Sequence, residues 1–201
     1  MIEHALVLPM PRALLPGLSR TDPVSDLRAA CIEAVDKLSA DDPGRIVVVA
    51  PAVSEANRQR GVTDPLGHRV ARHLFAGRVL EEQVALPYTA APLIEHDGPA
   101  TLVVMADGSA RRGEKAPGHL HPDAARFDET IEVALRSGDA GALSLIDTDR
   151  AAELWCEGAP ALRVLGEVTR GRTSQRTSAM SSTVPAVMNS AVGQVISGRY
   201  Q

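Results

Sequence analysis

The run Arg45–Val53, RIVVVAPAV, constrains this chain most, because Ile46, Val47, Val48 and Val49 follow one another with no polar residue between them. A half-buried strand alternates; an unbroken apolar run needs cover on both faces. Such a strand lies inside a parallel or mixed sheet, and the rest of the chain has to supply the covering helices. In open α/β sheets the ligand crevice lies beyond the carboxyl ends of the strands, here near Pro51 and Ala52. Neither of those side chains offers a donor, an acceptor, a base or a metal ligand.

The flanking segments fit that demand. His4–Leu8 (HALVL) reads as a first strand, ended by Pro9 and the proline-rich PMPRALLPG. Ser25 then stands as an N-cap before a stripe of Leu27, Cys31, Ala34, Val35 and Leu38 at helical spacing. The stop DDPG leads back into the central strand. Strand, helix and strand thus form a βαβ unit, for which a right-handed crossover is expected. Leu66, Val70, Leu74 and Phe75 predict a second covering helix. Residues Val79–Ile94, broken by Pro87 and Pro92, read as loop with at most a short strand. Ala100–Met105 (ATLVVM) is a third buried strand, and its end opens the long loop GSARRGEKAPGHLHP.

From Asp123 the pattern is helical, with Ala125, Phe127, Ile131, Val133, Ala134 and Leu135 as apolar positions up to Ser137 and Gly138. Asp139 is expected to cap a short helix with Leu143 and Ile146. Asp149 is expected to cap another running to Trp155, and Ala159–Val168 forms one more. Arg170–Thr183 reads as a flexible, weakly basic loop, and Val184–Tyr200, with Val192, Val195 and Ile196, as a final strand. Length and the absence of an internal repeat predict one domain over residues 1–201.

Composition narrows the class. With two Phe, two Tyr and one Trp the core has to come from Val, Leu, Ile and Ala, and stacking platforms for bases are scarce. A formal charge of −4 with both signs interspersed argues against nucleic acid as partner. The apolar start is preceded by Glu3 and His4 and broken by Pro9, Pro11 and Pro16, which fits neither a signal peptide nor a membrane span. A cytoplasmic protein is expected. Cys31 and Cys156 lie far apart with no CxxC partner, as buried thiols of a reducing compartment do; the position of Cys156 next to Trp155 leaves access open, with the core as the simpler expectation.

No GxSxG, GxGxxG or GxxxxGK[ST] motif occurs. His119 and His121 in GHLHP have the two-residue spacing that could chelate a metal, but no third ligand is near, and solvated loop histidines are the simpler account. His68 and His73 are off a common helical face and read as surface residues. Asp147, Asp149 and Glu153 lack the spacing of a calcium loop, and helix capping accounts for the aspartates. Arg111, Arg112 and Lys115, beside the amides of Gly108 and Gly113, suit an anion or, more simply, solvent.

Taken in order, ALVLPMPRALLPGL, RIVVVAPAV and VVMADGSARRGEKAPGHLHPDAARFD resemble the class III extradiol ring-cleavage dioxygenase superfamily. The nearest likeness is to its catalytic B-subunit-like (LigB-like) domain in small actinobacterial-type proteins. The resemblance spans residues 1–168. It implies a three-layer α/β fold, phosphorylase/hydrolase-like, with a mostly parallel or mixed central sheet and helices on both faces. In active members it implies Fe(II) held by two histidines and a glutamate, with a further histidine as acid/base. Here the first ligand position falls within Leu8, Pro9 and Met10, the second on Ala52, and the acid/base on Ala110 after Ser109. Leu, Pro and Ala cannot ligate iron, and a thioether is a poor ligand for hard Fe(II).

The expectation is therefore a dioxygenase-fold protein without the metal site and without catalytic residues at Pro9, Ala52 and Ala110. It would bind a small carboxylate or phosphate, or a partner, and need no cofactor. The site residues would be Met10, Arg12, Ala52, Ser54, Ser109, Arg111, Arg112 and Lys115. They would line a crevice between residues 9–12, 51–54 and 107–112, with Pro9, Met10, Ala52 and Ala110 as apolar floor and Arg12, Arg111, Arg112 and Lys115 as cationic rim. Two alternatives stand beside it. One is an Fe(II)-dependent ring-cleavage enzyme with an altered ligand set, His119 and His121 with a carboxylate or His4 with Glu3. The other is a homo-oligomeric scaffold.

Overall fold

The computed structural model describes residues 2–17, 20–40, 44–87, 98–170, 174–176 and 196–200. The central strand forms where the apolar run requires it. β2 (Arg45–Pro51) lies between β3 (Leu80–Ala85) and β4 (Ala100–Met105), and β4 in turn pairs with β1 (Ile2–Leu8). These four strands are all parallel. β6 (Ile196–Tyr200) and β5 (Ser174–Arg176) extend the β1 edge in antiparallel sense, giving the order β3-β2-β4-β1-β6-β5. The fold is thus the expected α/β arrangement, a mostly parallel sheet with helices on both faces.

Alternation along β2 assigns the faces, since neighbouring side chains in a strand point to opposite sides. Ile46, Val48 and Ala50 pack with α1 (Ser25–Ala40) and α3 (Leu66–Leu74). Val47 and Val49 pack with α4 (Ala124–Ser137), α5 (Ala140–Ser144) and α7 (Ala159–Thr169). Of the two short helices, α2 (Glu55–Gln59) lies between β2 and α3 in the chain and α6 (Thr148–Glu153) between α5 and α7. Both cores are aliphatic; Phe75 is the one aromatic residue among the largest fully buried side chains.

Several expectations are corrected. β1 begins at Ile2, two residues earlier than expected, with an irregular register between Ile2 and His4. The segment 79–94 contains a full six-residue strand, β3; residues 88–97 lie outside the described set. Ser25 is the first residue of α1, and the turn before it is held by Asp22, whose carboxylate accepts from Val24 N–H at 3.1 Å and pairs with Arg28. On α4 the buried stripe is Ala124, Asp128, Ile131, Ala134 and Leu135, and Val133 and Ala125 fall on the exposed side. α6 is capped by Asp147, whose carboxylate accepts from the amides of Asp149 and Arg150, so Asp149 sits in the first turn and the helix stops at Glu153. Asp139 caps α5 as expected. Ser174–Arg176 is strand where flexible loop was expected; the rest of 171–195 lies outside the described residues.

His68 is also corrected: it is buried. Its Nε2 donates to the carbonyl of Gln83 at 2.9 Å, so the ring satisfies its N–H while tying α3 to β3. Arg72, one turn on, bridges Asp64 and Glu82 and secures the same junction. His73 stays exposed, as expected.

Candidate functional site

All four parallel strands end on one side of the molecule, and the loop leaving β4 dominates that end. Its first residues are fastened to the chain after β1. Ala106 N–H donates to Leu8 O at 2.9 Å, and Met10 N–H donates to Asp107 Oδ1 at 3.0 Å. Behind them the turn before α7 comes so close that a Cβ on Gly158 would lie 2.6 Å from both Asp107 N and Asp107 O; only glycine fits. Cys156 Sγ donates to Asp107 O at 3.4 Å. Burial, opposed by the single Met10 amide and reinforced by the Glu157 charge, pushes the Asp107 carboxyl up to about 6.

The next residues are organised by Asp128 of α4, which is almost wholly buried. It accepts from Ser109 N–H at 2.8 Å and from Arg112 Nη1 at 3.1 Å. Burial still raises its pKa against those two contacts. Ser109, itself buried, donates its hydroxyl to Leu154 O at 2.6 Å and accepts from Arg111 N–H at 3.0 Å. Arg111 then spans the loop, donating to Gly118 O at 2.8 Å and to Glu153 O at 3.0 Å.

Two non-glycine residues with left-handed backbone, His119 (φ 57°) and Trp155 (φ 54°), occur at this loop. At Trp155 the cause is a Schellman ending of α6. Trp155 N–H donates to Ala152 O, Cys156 N–H to Ala151 O, and Cys156 and Ala151 share the core. The tryptophan is 51% exposed, its ring lies against Gly118, and its carbonyl accepts from Ala110 N–H.

The structure distributes the expected site residues unevenly. Pro9 and Met10 are buried, and the Met10 sulfur sits 3.3 Å from where a Cβ on Gly67 would be. That same Cβ would lie 2.7 Å from Ala50 and 2.8 Å from Met105. Gly67 therefore lets α3 settle on the ends of β2 and β4, over ground assigned to the crevice floor. Ala52 is partly buried, its amide donating to Ala85 O. Ser54 stands at the N-cap of α2 without a capping side-chain bond. Ala110 is folded between Trp155 and Gly118. The expected cationic rim is also corrected. Arg111 and Arg112 turn inward because loop carbonyls and a buried carboxylate need donors there, while Arg12, on a short 3-10 turn (Arg12–Leu14), and Lys115 face solvent.

A cavity of ≈ 20 Å³, room for about one water, opens on the other side of the sheet. It is lined by Val7, Asp107, Asp128, Ile131, Glu132 and Leu162 among others. The donors needed for Fe(II) are not met. Pro9, Ala52 and Ala110 offer no ligating atom, and no three His, Cys, Asp or Glu side chains converge for a metal among the described residues. His119 is exposed, and His121 Nδ1 accepts from Asp123 N–H at 3.2 Å. Asp128 escaped the sequence reading, and Asp107 and Trp155 stood in it without a role of their own at the site. The available signals were an acid directly after a fully buried strand, an acid inside an apolar helical stripe, and a lone tryptophan at a helix end.

Fold and loop together define an α/β protein with a parallel central sheet whose carboxyl end is built over by a tightly bonded β4 loop. No protein-family model matches the chain, and no curated protein matches it. No helix among the described residues is long and apolar enough to cross a membrane.

Proposed function

We propose that this chain is a non-catalytic protein of extradiol-dioxygenase-like fold that binds a small carboxylate- or phosphate-bearing ligand at the solvent side of the β4 loop. The internal bonding of that loop carries the proposal. A long segment without helix or strand, pinned by Asp128, Ser109 and Arg111 to the scaffold, is what binding loops on rigid frames look like. Arg12 and Lys115 leave the same end of the sheet, exposed and with no partner among the described residues, and supply the charge that draws an anion. Pro9, Ala52 and Ala110 at the resemblance's catalytic positions support a role in binding rather than turnover. Both cysteines are free and buried, which suits the reducing cytoplasm.

Exposed charged contacts contribute about 0.5–1.5 kcal/mol each, so micromolar affinity is the upper range expected. Thermal-shift screening against small aromatic acids and phosphate esters tests the proposal. At ligand about 100-fold above Kd the gain is about 2.7 kcal/mol, about 5–10 °C in a chain of this length. The comparison protein is Arg12→Ser with Lys115→Ser, since Arg111 and Arg112 hold the loop and their removal lowers Tm by itself. A wild type that shifts with no anion, or a variant that shifts equally, rejects the proposal.

A further inference from the structure

The two edges of the sheet differ in how they meet another chain. One ends in β5, a three-residue strand; so short an edge offers little to pair with. The other edge is β3, six residues long and in unbroken parallel register with β2 from Leu80 to Ala85. Proteins guard such an edge with lysine, proline or a bulge, and β3 has none of these. Its charges, Glu81 and Glu82, are already paired with Arg45 and Arg72. Val79, Val84 and Leu86, in the strand or next to it, are exposed. One bond fixes which backbone groups point outward. Ala52 N–H donates to Ala85 O, so Ala85 faces β2. Alternation then turns the N–H and C=O groups of Leu80, Glu82 and Val84 away from the sheet, where no described residue bonds them.

We propose that β3 seats a second copy of this chain, paired antiparallel across a two-fold axis at Gln83 so that the two sheets continue as one. Self-complementarity points to a copy rather than to a foreign strand. A two-fold perpendicular to the sheet keeps each face on its own side, so opposed residues must belong to the same face. With Gln83 opposite its own counterpart, Glu82 lies opposite Val84 of the second copy, Leu80 opposite Leu86, and Glu81 opposite Ala85. Leucines meet on the α3 face, and no carboxylate directly faces another; a register centred on Glu82 would set like charges against each other. The outward groups are in step for this ladder, because Glu82 and Val84, when opposed, exchange both of their N–H···O bonds. Gln83 then forms the close, non-hydrogen-bonded pair at the axis. Its side chain lies on the face of Val49 and α7, and its Oε1 is buried with no donor among the described residues. A buried acceptor without a donor is uncommon, and the side-chain amide of the facing Gln83 supplies one. Since the paired strands run in opposite directions, the two β4 loops lie at opposite ends of the assembly, and the inference is independent of which ligand the loop takes.

Sedimentation equilibrium and oxidative cross-linking of the full chain test the pairing. Wild type should reach twice the chain mass over about 10–100 μM, as suits a small interface. Val84→Glu sets a glutamate against Glu82 on both sides of the axis; because Val84 is exposed in the single chain, the variant should be a folded monomer by circular dichroism. Gln83→Cys should form an intermolecular disulfide under oxidised glutathione, since a non-hydrogen-bonded antiparallel pair brings its Cα atoms to about 4.5 Å, within disulfide reach. The native thiols, Cys31 and Cys156, are buried and should not compete. Leu145→Cys, exposed at the end of α5, serves as the comparison and should stay uncrosslinked. Wild type that remains monomeric throughout that range overturns the proposal. So does a dimer that Val84→Glu leaves intact, or one in which Gln83→Cys cross-links no faster than Leu145→Cys.

Discussion

Asp128 shows how a single buried carboxylate redirects surface charge. Its oxygens are satisfied by Ser109 N–H and by Arg112, and Arg112 in turn is drawn out of the role its position in an exposed, basic loop suggests. Removing one partner of a buried pair leaves an uncompensated charge, which costs about 3–5 kcal/mol when both groups are fully buried. The Arg112 side chain is 32% exposed, so Arg112→Ala is expected to cost about 1–2 kcal/mol at pH near 7. Burial raises the Asp128 pKa, and losing Arg112 raises it further, so the charge penalty exists only where the group is ionised. It should shrink as the pH falls from near 7 toward about 4 and the folded carboxyl takes up its proton. Urea unfolding of both proteins at the two pH values measures this; a cost that is the same at both would assign Arg112 to packing alone. The sequence showed Arg111 and Arg112 as a charge run because two of their acceptors, Asp128 and Glu153 O, come from other parts of the fold.

At the scale of elements, close approach at glycines decides where helices sit. α5 and α7 cross so tightly that a Cβ on Gly166 would meet Ser144 N at 2.3 Å and Ala140 O at 2.6 Å, both backbone atoms with nowhere to go. An alanine in a helix interior ordinarily gains about 0.5–1 kcal/mol over glycine. Here overpacking reverses the sign, and Gly166→Ala is expected to destabilise by about 2–3 kcal/mol. Gly113→Ala, with open space around it, should change stability by no more than about 0.5 kcal/mol. Chemical denaturation of the pair checks the contrast, and equal effects would contradict the crossing geometry. The buried strands Ile46–Val49 and Leu102–Met105 were legible because hydrophobic periodicity is a local property of the chain. β3 was not, because Glu81, Glu82 and Gln83 make it look like loop until Arg45 and Arg72 arrive from elsewhere to pair with the two glutamates. The seat of α3 on the strand ends turns on Gly67, which nothing in its sequence neighbourhood distinguishes from any other glycine.

For the whole molecule, two sets of carboxyl groups act on stability in opposite directions with pH. Asp22, Glu55, Asp64 and Glu82 are held below their ordinary values chiefly by hydrogen bonds to Arg28, Arg58 and Arg72. Their contribution is present above the ordinary values of 3.8 for Asp and 4.5 for Glu and fades as pH falls through the lower folded values. Asp107 and Asp128 are shifted upward by burial, so the folded state binds more protons than the unfolded one between the two pKa values. For Asp107 that window runs from 3.8 to about 6, and stability falls as pH rises through it. The two trends oppose each other, so stability passes through a maximum on the acid side, and the decline above it that belongs to Asp107 is about 2 kcal/mol from about pH 4.5 upward, largely complete by about pH 6.5. Asp107→Asn keeps a carbonyl oxygen for the Met10 amide and removes the charge. It is therefore expected to match wild type near pH 4.5, to exceed it by about 2 kcal/mol at pH 7.5, and to remove most of the decline. Urea midpoints across that range decide it. A variant less stable than wild type at pH 7.5 would mean that the ionised carboxylate contributes more through the Met10 contact than its burial costs, and the acid limb would then belong to the surface pairs alone.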